Sequence, residues 1–203
     1  MGMFNRQKGM EAMGATEILR QDHAKVRKIF DEFESTEESA AKRRLVETCL
    51  IELTIHSKLE EELFYPAARK HSDEDIVDEA EEEHHVAKLL IAELSTMTPS
   101  DKRYDAKFTV LSDSIRHHIE EEEGEMFPSF EKSGVDLQTL GQEMMERKQN
   151  LMQEVTLDSI RQELSIEVSG EIPSGGRRSG RTIRGKRGGR RMSRRASKSK
   201  AKA

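Results

Sequence analysis

The 203-residue chain has no tryptophan, two tyrosines, four prolines and a single cysteine, Cys49. One cysteine excludes an intramolecular disulfide and suits a reducing compartment. No run of about 18 apolar residues occurs, so no membrane span is expected. The amino-terminal "MGMFNRQKGMEAMG" lacks the apolar stretch of a secretion signal. Arg6 stands where a myristoylation pattern wants Ser or Thr. A cytoplasmic protein is the expectation. Strand signals are scarce too: aromatic residues make up 4% of the chain and no Asn-Gly hairpin turn is present.

What is abundant is charge. Charged residues reach 36% against 34% hydrophobic, so the apolar positions must be spent economically on one core. The net charge of −5 hides a split. Residues 169–203 carry thirteen Lys and Arg against one acid, Glu171, for a charge of +12, which leaves −17 on residues 1–168. The segment from Ser169, rich in Gly, Ser, Arg and Lys, cannot bury enough apolar surface to offset its ordering entropy and is expected to be disordered.

Helical periodicity covers most of the acidic body. Residues 1–14 read as a loose leader. Helices are expected over Thr16–Ser35, Ser39–Lys70, Asp73–Met97 and Ser100–Lys132, with a shorter one over Asp136–Val155. The short connections argue an all-α, antiparallel up-down four-helix bundle over 15–132. An accessory helix within 133–168 and the basic tail, 169–203, follow. Pro66 and Pro128 fall late in the second and fourth helices, where they should kink or end them.

Steps of three and four trace the inner stripe of each helix. They give Leu19, His23, Val26, Phe30 and Phe33; then Cys49, Leu53, His56, Glu60, Leu63 and Ala67; then Val77, Ala80, His84, Ala87, Ile91 and Leu94; then Phe108, Leu111, Ile115, His118 and Glu122. Each stripe is apolar except for one histidine, or one histidine and one glutamate. Shifting the register by one residue gives mostly polar stripes, so His85 and His117 point outward. His71 sits at a helix end. A repeat links the two His–Glu segments: His56, Glu60 and Pro66 recur 62 residues later as His118, Glu122 and Pro128. Glu61, Glu62, Glu121 and Glu123 read as a solvated face or as groups backing the inner ones.

Six ionisable side chains are thus aimed at the middle of one bundle: His23, His56, Glu60, His84, His118 and Glu122. His and Glu four residues apart lie about 40° apart around the axis and reach the same point. Unpartnered buried charge is costly. Imidazoles and carboxylates together become reasonable with cations among them, and this donor set suits iron, manganese or zinc.

The pattern of His23, "HSKLE", "EEEHH" and "HIEEE", with "ELFYP" and "EMFP" closing the two repeated segments, resembles the hemerythrin family, specifically its four-histidine HHE cation-binding domains. The resemblance covers about residues 15–132. It implies two iron ions bridged by Glu60 and Glu122 and held by His23, His56, His84 and His118, with zinc or manganese as the other candidates. Oxygen-carrying members have a second histidine one turn on in the third helix, where this chain has Lys88. Its implied partners are dioxygen, peroxide or nitric oxide, in a sensor, a scavenger or a peroxide-decomposing protein. The alternative is an iron-sensing or structural metal module without turnover. The tail, through residues 177–202, suits non-specific contact with nucleic acid, although it lacks aromatic residues to stack on bases.

Overall fold

The computed structural model describes residues 13–71 and 74–169. The basic tail beyond Ser169 and all but the last two residues of the leader lie outside them.

The apolar stripes fold as helices because each can be buried only against another. α1 (Ala15–Ser35) turns through three residues into α2 (Ser39–Leu59). α3 (Tyr65–Ala68) continues α2 beyond a π-helical turn, Glu60–Phe64. α4 (Glu74–Ser95) begins with Glu74 and Asp75, acids that suit a helix amino terminus. Asp101 then holds the reversal, accepting from the Thr98 N–H at 2.7 Å. α5 (Tyr104–Glu121) follows, then a second π turn, Glu122–Met126, and α6 (Phe127–Lys132). α1 packs on α2 and α5, and α4 packs on α5 and α2, which closes a four-helix ring. Among the described residues no strand is present, and no helix is long and apolar enough to cross a membrane.

The two π turns revise the expectation of uninterrupted second and fourth helices. They fall at equivalent places, one turn before Pro66 and Pro128. A proline offers no N–H to the carbonyl four residues back, and its ring crowds that carbonyl. The wider turn accommodates this, with the Tyr65 N–H donating to the Glu60 carbonyl and the Phe127 N–H to the Glu122 carbonyl. The inserted residue also shifts the register. Leu63 and Ala67, expected inside, are only partly buried, while Phe64, Tyr65 and Ala68 take the inner face. Upstream of the π turns every expected stripe residue is buried.

Aromatic rings flank the middle of the bundle. On one side Phe33 and Phe30 lie 4.4 and 5.8 Å from Phe108, and on the other Phe64 lies 5.4 Å from Phe127 and 5.0 Å from Phe130. The His–Glu layer sits between these clusters in helix sequence.

The accessory region holds two helices where one was expected. α7 (Leu137–Glu154) starts at Asp136, whose carboxylate accepts from the Gln138 and Thr139 N–H groups at 3.1 and 3.0 Å. α8 (Leu157–Ser169) is launched by a reciprocal cap between Thr156 and Ser159. α7 lies on α1 and α2, burying Met144 and Leu151, and α8 is tied to the end of α4 by Arg161 donating to the Ser95 carbonyl at 2.7 Å. Gly141 permits the first contact: a Cβ there would lie 2.1 Å from the Met13 carbonyl oxygen.

Candidate metal centre

Each of the four bundle helices delivers one imidazole to the same layer, and the π turns begin at the two glutamates. His23, His56, Glu60, His84, His118 and Glu122 are all at most 5% exposed. Their Nε2 atoms face inward in pairs. Those of His23 and His56 are 3.0 Å apart, and those of His84 and His118 are 3.2 Å apart. The carboxylates cross between the pairs. Glu60 Oε2 lies 3.1 Å from His56 Nε2 and 3.3 Å from His84 Nε2. Glu122 Oε2 lies 3.3 Å from His23 Nε2 and 3.4 Å from His118 Nε2. The structure therefore brings the six sequence-derived candidates together. His85 and His117 are exposed, as the stripes require, and His71 is exposed as well.

Behind each imidazole stands a carboxylate facing Nδ1. Glu123 is 2.9 Å from His23, Glu61 is 2.9 Å from His84, Glu83 is 2.7 Å from His118, and Asp22 stands off at 3.7 Å from His56. A carboxylate on Nδ1 fixes that proton outward and turns the Nε2 lone pair inward, the tautomer a metal ligand needs. Three of these carboxylates are held in turn by cations. Glu61 binds Lys88 at 2.6 Å, Glu123 binds Arg27 at 3.1 Å, and Asp22 binds Lys148 from α7.

Burial works against ionisation of these outer acids, yet their histidine and cationic partners hold all four below the usual carboxylate range. In the inner layer burial alone would lower the imidazolium of His56. Glu60, with Asp22 and Glu122, outweighs it and raises the group to about 10. The same contest, with Glu60, Glu61 and Glu122 prevailing over burial, raises His84 to about 9. Burial favours the protonated form of Glu60, but His56 and His84 hold its carboxyl well below the usual range.

The inner oxygens fit a cation better than they fit each other. Both oxygens of Glu60, and Oε2 of Glu122, are buried and accept no hydrogen bond, although ring nitrogens lie within 3.4 Å. Donor atoms that crowd together without hydrogen-bond geometry are arranged as ligands are. Glu122 Oε1 is satisfied separately by the Tyr65 hydroxyl at 3.1 Å. Burial and the carboxylates of Glu122 and Glu60 keep that hydroxyl protonated.

A cavity of about 20 Å³ adjoins all four histidines, with Leu53, Ala87, Ile91 and Ile115 in its wall and Lys88 at its edge. It is large enough for a water-sized molecule. Cys49 lies fully buried in the core, its thiol pushed up by burial, and plays the packing role its position suggested.

Sequence periodicity did not single out Asp22, Glu83 or Tyr65. A signal exists: Asp22–His23 and Glu83–His84 repeat at an offset of 61, as the His–Glu segments do at 62.

Comparison with known proteins gives the family and the fold. The profile described as Hemerythrin HHE cation binding domain matches residues 14–130. A solved hemerythrin HHE cation-binding domain-containing protein of Mycobacterium kansasii superposes with a TM-score of 0.58 at 21% identity, covering 78% of this chain and 95% of that one. That likeness is one of fold. A DNA nickase of Nostoc sp. is 26% identical over 115 residues, 57% of this chain and 33% of the nickase. The chain thus spans about a third of that curated relative's length.

Proposed function

The chain belongs to the hemerythrin HHE cation-binding domain family, and on that premise we propose that its central cluster holds two iron ions and meets dioxygen, peroxide or nitric oxide beside them. His23 and His56 would hold one ion and His84 and His118 the other, with Glu60 and Glu122 shared between them. The observation that carries this reading is the facing of imidazole nitrogens in two pairs, each backed by a carboxylate, around glutamate oxygens that accept no hydrogen bond. Imidazole and carboxylate donors without a thiolate suit iron, with manganese or zinc as the other ions.

Bound iron would supply an open coordination position and electrons for a small oxidant. The chain's own residues do the rest. Glu123, Glu61 and Glu83 fix the tautomers of His23, His84 and His118. Tyr65 holds one oxygen of Glu122 and leaves the other for the ion. The apolar walls admit a small neutral molecule and disfavour bulk water. Lys88 keeps its ammonium on Glu61 at the cavity edge, in the place where oxygen carriers have another histidine.

The test combines loading with filling of the cavity. The reduced, iron-loaded protein should consume peroxide or bind nitric oxide, and Ala87→Ile should suppress that reactivity without lowering the iron content. Full reactivity in the filled variant would contradict the cavity's role. An iron-loaded protein inert to peroxide, dioxygen and nitric oxide would favour the second reading, a metal module for iron sensing or structure without turnover. The +12 tail favours nucleic acid as a partner of either form. Salt-sensitive binding of DNA by the full chain, lost on truncation after Val168, is its test.

A further inference from the structure

The four outer carboxylates are not equivalent. Asp22, Glu61 and Glu123 are each tied to a lysine or arginine. Glu83, among the described residues, has no such partner. Beyond His118 its neighbours are His117 and Glu121, with one donor atom from each of Glu83, His117 and Glu121 within 4.8 Å of the others. His117 Nε2 lies 3.2 Å from Glu121 Oε1.

A cavity of about 50 Å³ opens at this point between α4, α5 and the second π turn. Glu79, Glu83, Glu121 and Glu125 line it, and its inner wall includes His118 and Glu122. No lysine or arginine pairs with Glu79, Glu121 or Glu125 among the described residues. Glu122, 1% exposed and with Oε2 accepting no hydrogen bond, belongs both to this cavity and to the central cluster. The cleft therefore reaches two side chains of the central cluster, His118 and Glu122, while Oε2 of Glu122 itself faces the His23 and His118 nitrogens. The other cavity beside the histidines is walled largely by apolar side chains and has Lys88 at its edge, a poor passage for a hydrated dication.

We propose that Glu83, His117 and Glu121 form an outer, exchangeable divalent-cation position at the mouth of an acidic cleft through which metal reaches His118 and Glu122. This rests on the reading that the central cluster binds metal. One imidazole and two carboxylates are a donor set for iron(II), manganese or zinc. A cation there relieves the repulsion between two nearby carboxylates. His117 is exposed, so the ion keeps waters and leaves readily, as transit demands. Acidic walls in a cleft raise the local cation concentration and the rate of capture. Passage inward is ligand exchange, from His117 and Glu121 by way of Glu122, which lines the cleft, to the inward-facing Nε2 of His118, with no change of oxidation state.

The test is anaerobic stopped-flow uptake of Fe²⁺ by the metal-free full chain. His117→Ala combined with Glu121→Gln should slow uptake on the order of tenfold while reaching the wild-type iron content. Glu79→Gln with Glu125→Gln, which leaves the three donors in place, should slow it less. Glu37→Gln with Glu38→Gln, at the α1–α2 connection, should leave the rate unchanged. Equal rates in wild type and both cleft variants would overturn the proposal while leaving the central site standing. A matching loss of final iron content in the His117/Glu121 variant would also overturn it, because those residues would then belong to the centre. A wild-type chain that takes up no iron would overturn the central reading and this one together.

Discussion

Tyr65 and Phe127 occupy the same place in the two halves of the bundle, 62 residues apart, yet only Tyr65 carries a hydroxyl. Phe127 stacks on His23 with ring centroids 5.7 Å apart, and Tyr65 lies over His84 at 5.4 Å. The hydroxyl donates to Glu122 Oε1, and Glu60 has no counterpart donor, so the two carboxylates differ in how many oxygens they keep for an ion. Tyr65→Phe should leave a buried carboxylate oxygen without its donor. Hydrogen bonds to charged groups contribute about 1.5–3 kcal/mol. Urea denaturation of the metal-free variant should show a loss of that order, and an unchanged midpoint would show that the hydroxyl does not stabilise Glu122.

The histidine doublet offers a sharper discrimination. His118 is buried and His117 exposed. His118→Ala should lower metal content much more than His117→Ala, measured on protein loaded under the same conditions and desalted. Equal losses would mean that the inner face of α5 does not bind the ion.

The metal-free protein should lose stability at high pH. His56 and His84 are raised in the folded state to about 10 and about 9, above their ordinary value of 6.5. The stabilisation from their protonated forms is full below that ordinary value and is lost as pH rises through 9 and then 10. Glu60 runs the other way: its folded value is depressed, so its contribution is present above the ordinary 4.5 and fades as acid protonates it. Denaturant midpoints for the metal-free chain should therefore fall between pH 7 and pH 10. A flat profile across that range would contradict the assigned charges.

Gly141 gives a prediction of opposite sign to the usual one. Glycine to alanine in a helix interior ordinarily stabilises. Here the added methyl would meet the Met13 carbonyl oxygen at 2.1 Å and the Ala15 nitrogen at 3.0 Å, both backbone atoms. Gly141→Ala should destabilise by about 1–3 kcal/mol and loosen α7. A thermal midpoint equal to or above wild type would show that α7 does not need this close approach.

The bundle was legible because its stripes are clean. An apolar face at 3.6-residue spacing with one histidine per helix leaves little freedom in which way each helix turns. What escaped the sequence has physical causes. The π turns insert a residue, so periodic extrapolation past Glu60 reached Leu63 and Ala67 instead of Phe64 and Ala68. Asp22 and Glu83 sit beside the inward histidines on their own helices and serve the histidine of the neighbouring helix, a relation no single helix's periodicity contains. Tyr65 comes inside only because of the π turn. α8 is short and of mixed polarity, and its docking through Arg161 to the end of α4 depends on tertiary contact.

Iron stoichiometry after anaerobic Fe(II) loading of the full chain and desalting is the decisive measurement for a two-iron centre. About two irons per chain are expected, the coupling of ligand deprotonation to binding making uptake rise with pH, with a clear fall in Glu60→Ala. Little or no retained iron, or an iron content unmoved by Glu60→Ala, would contradict it.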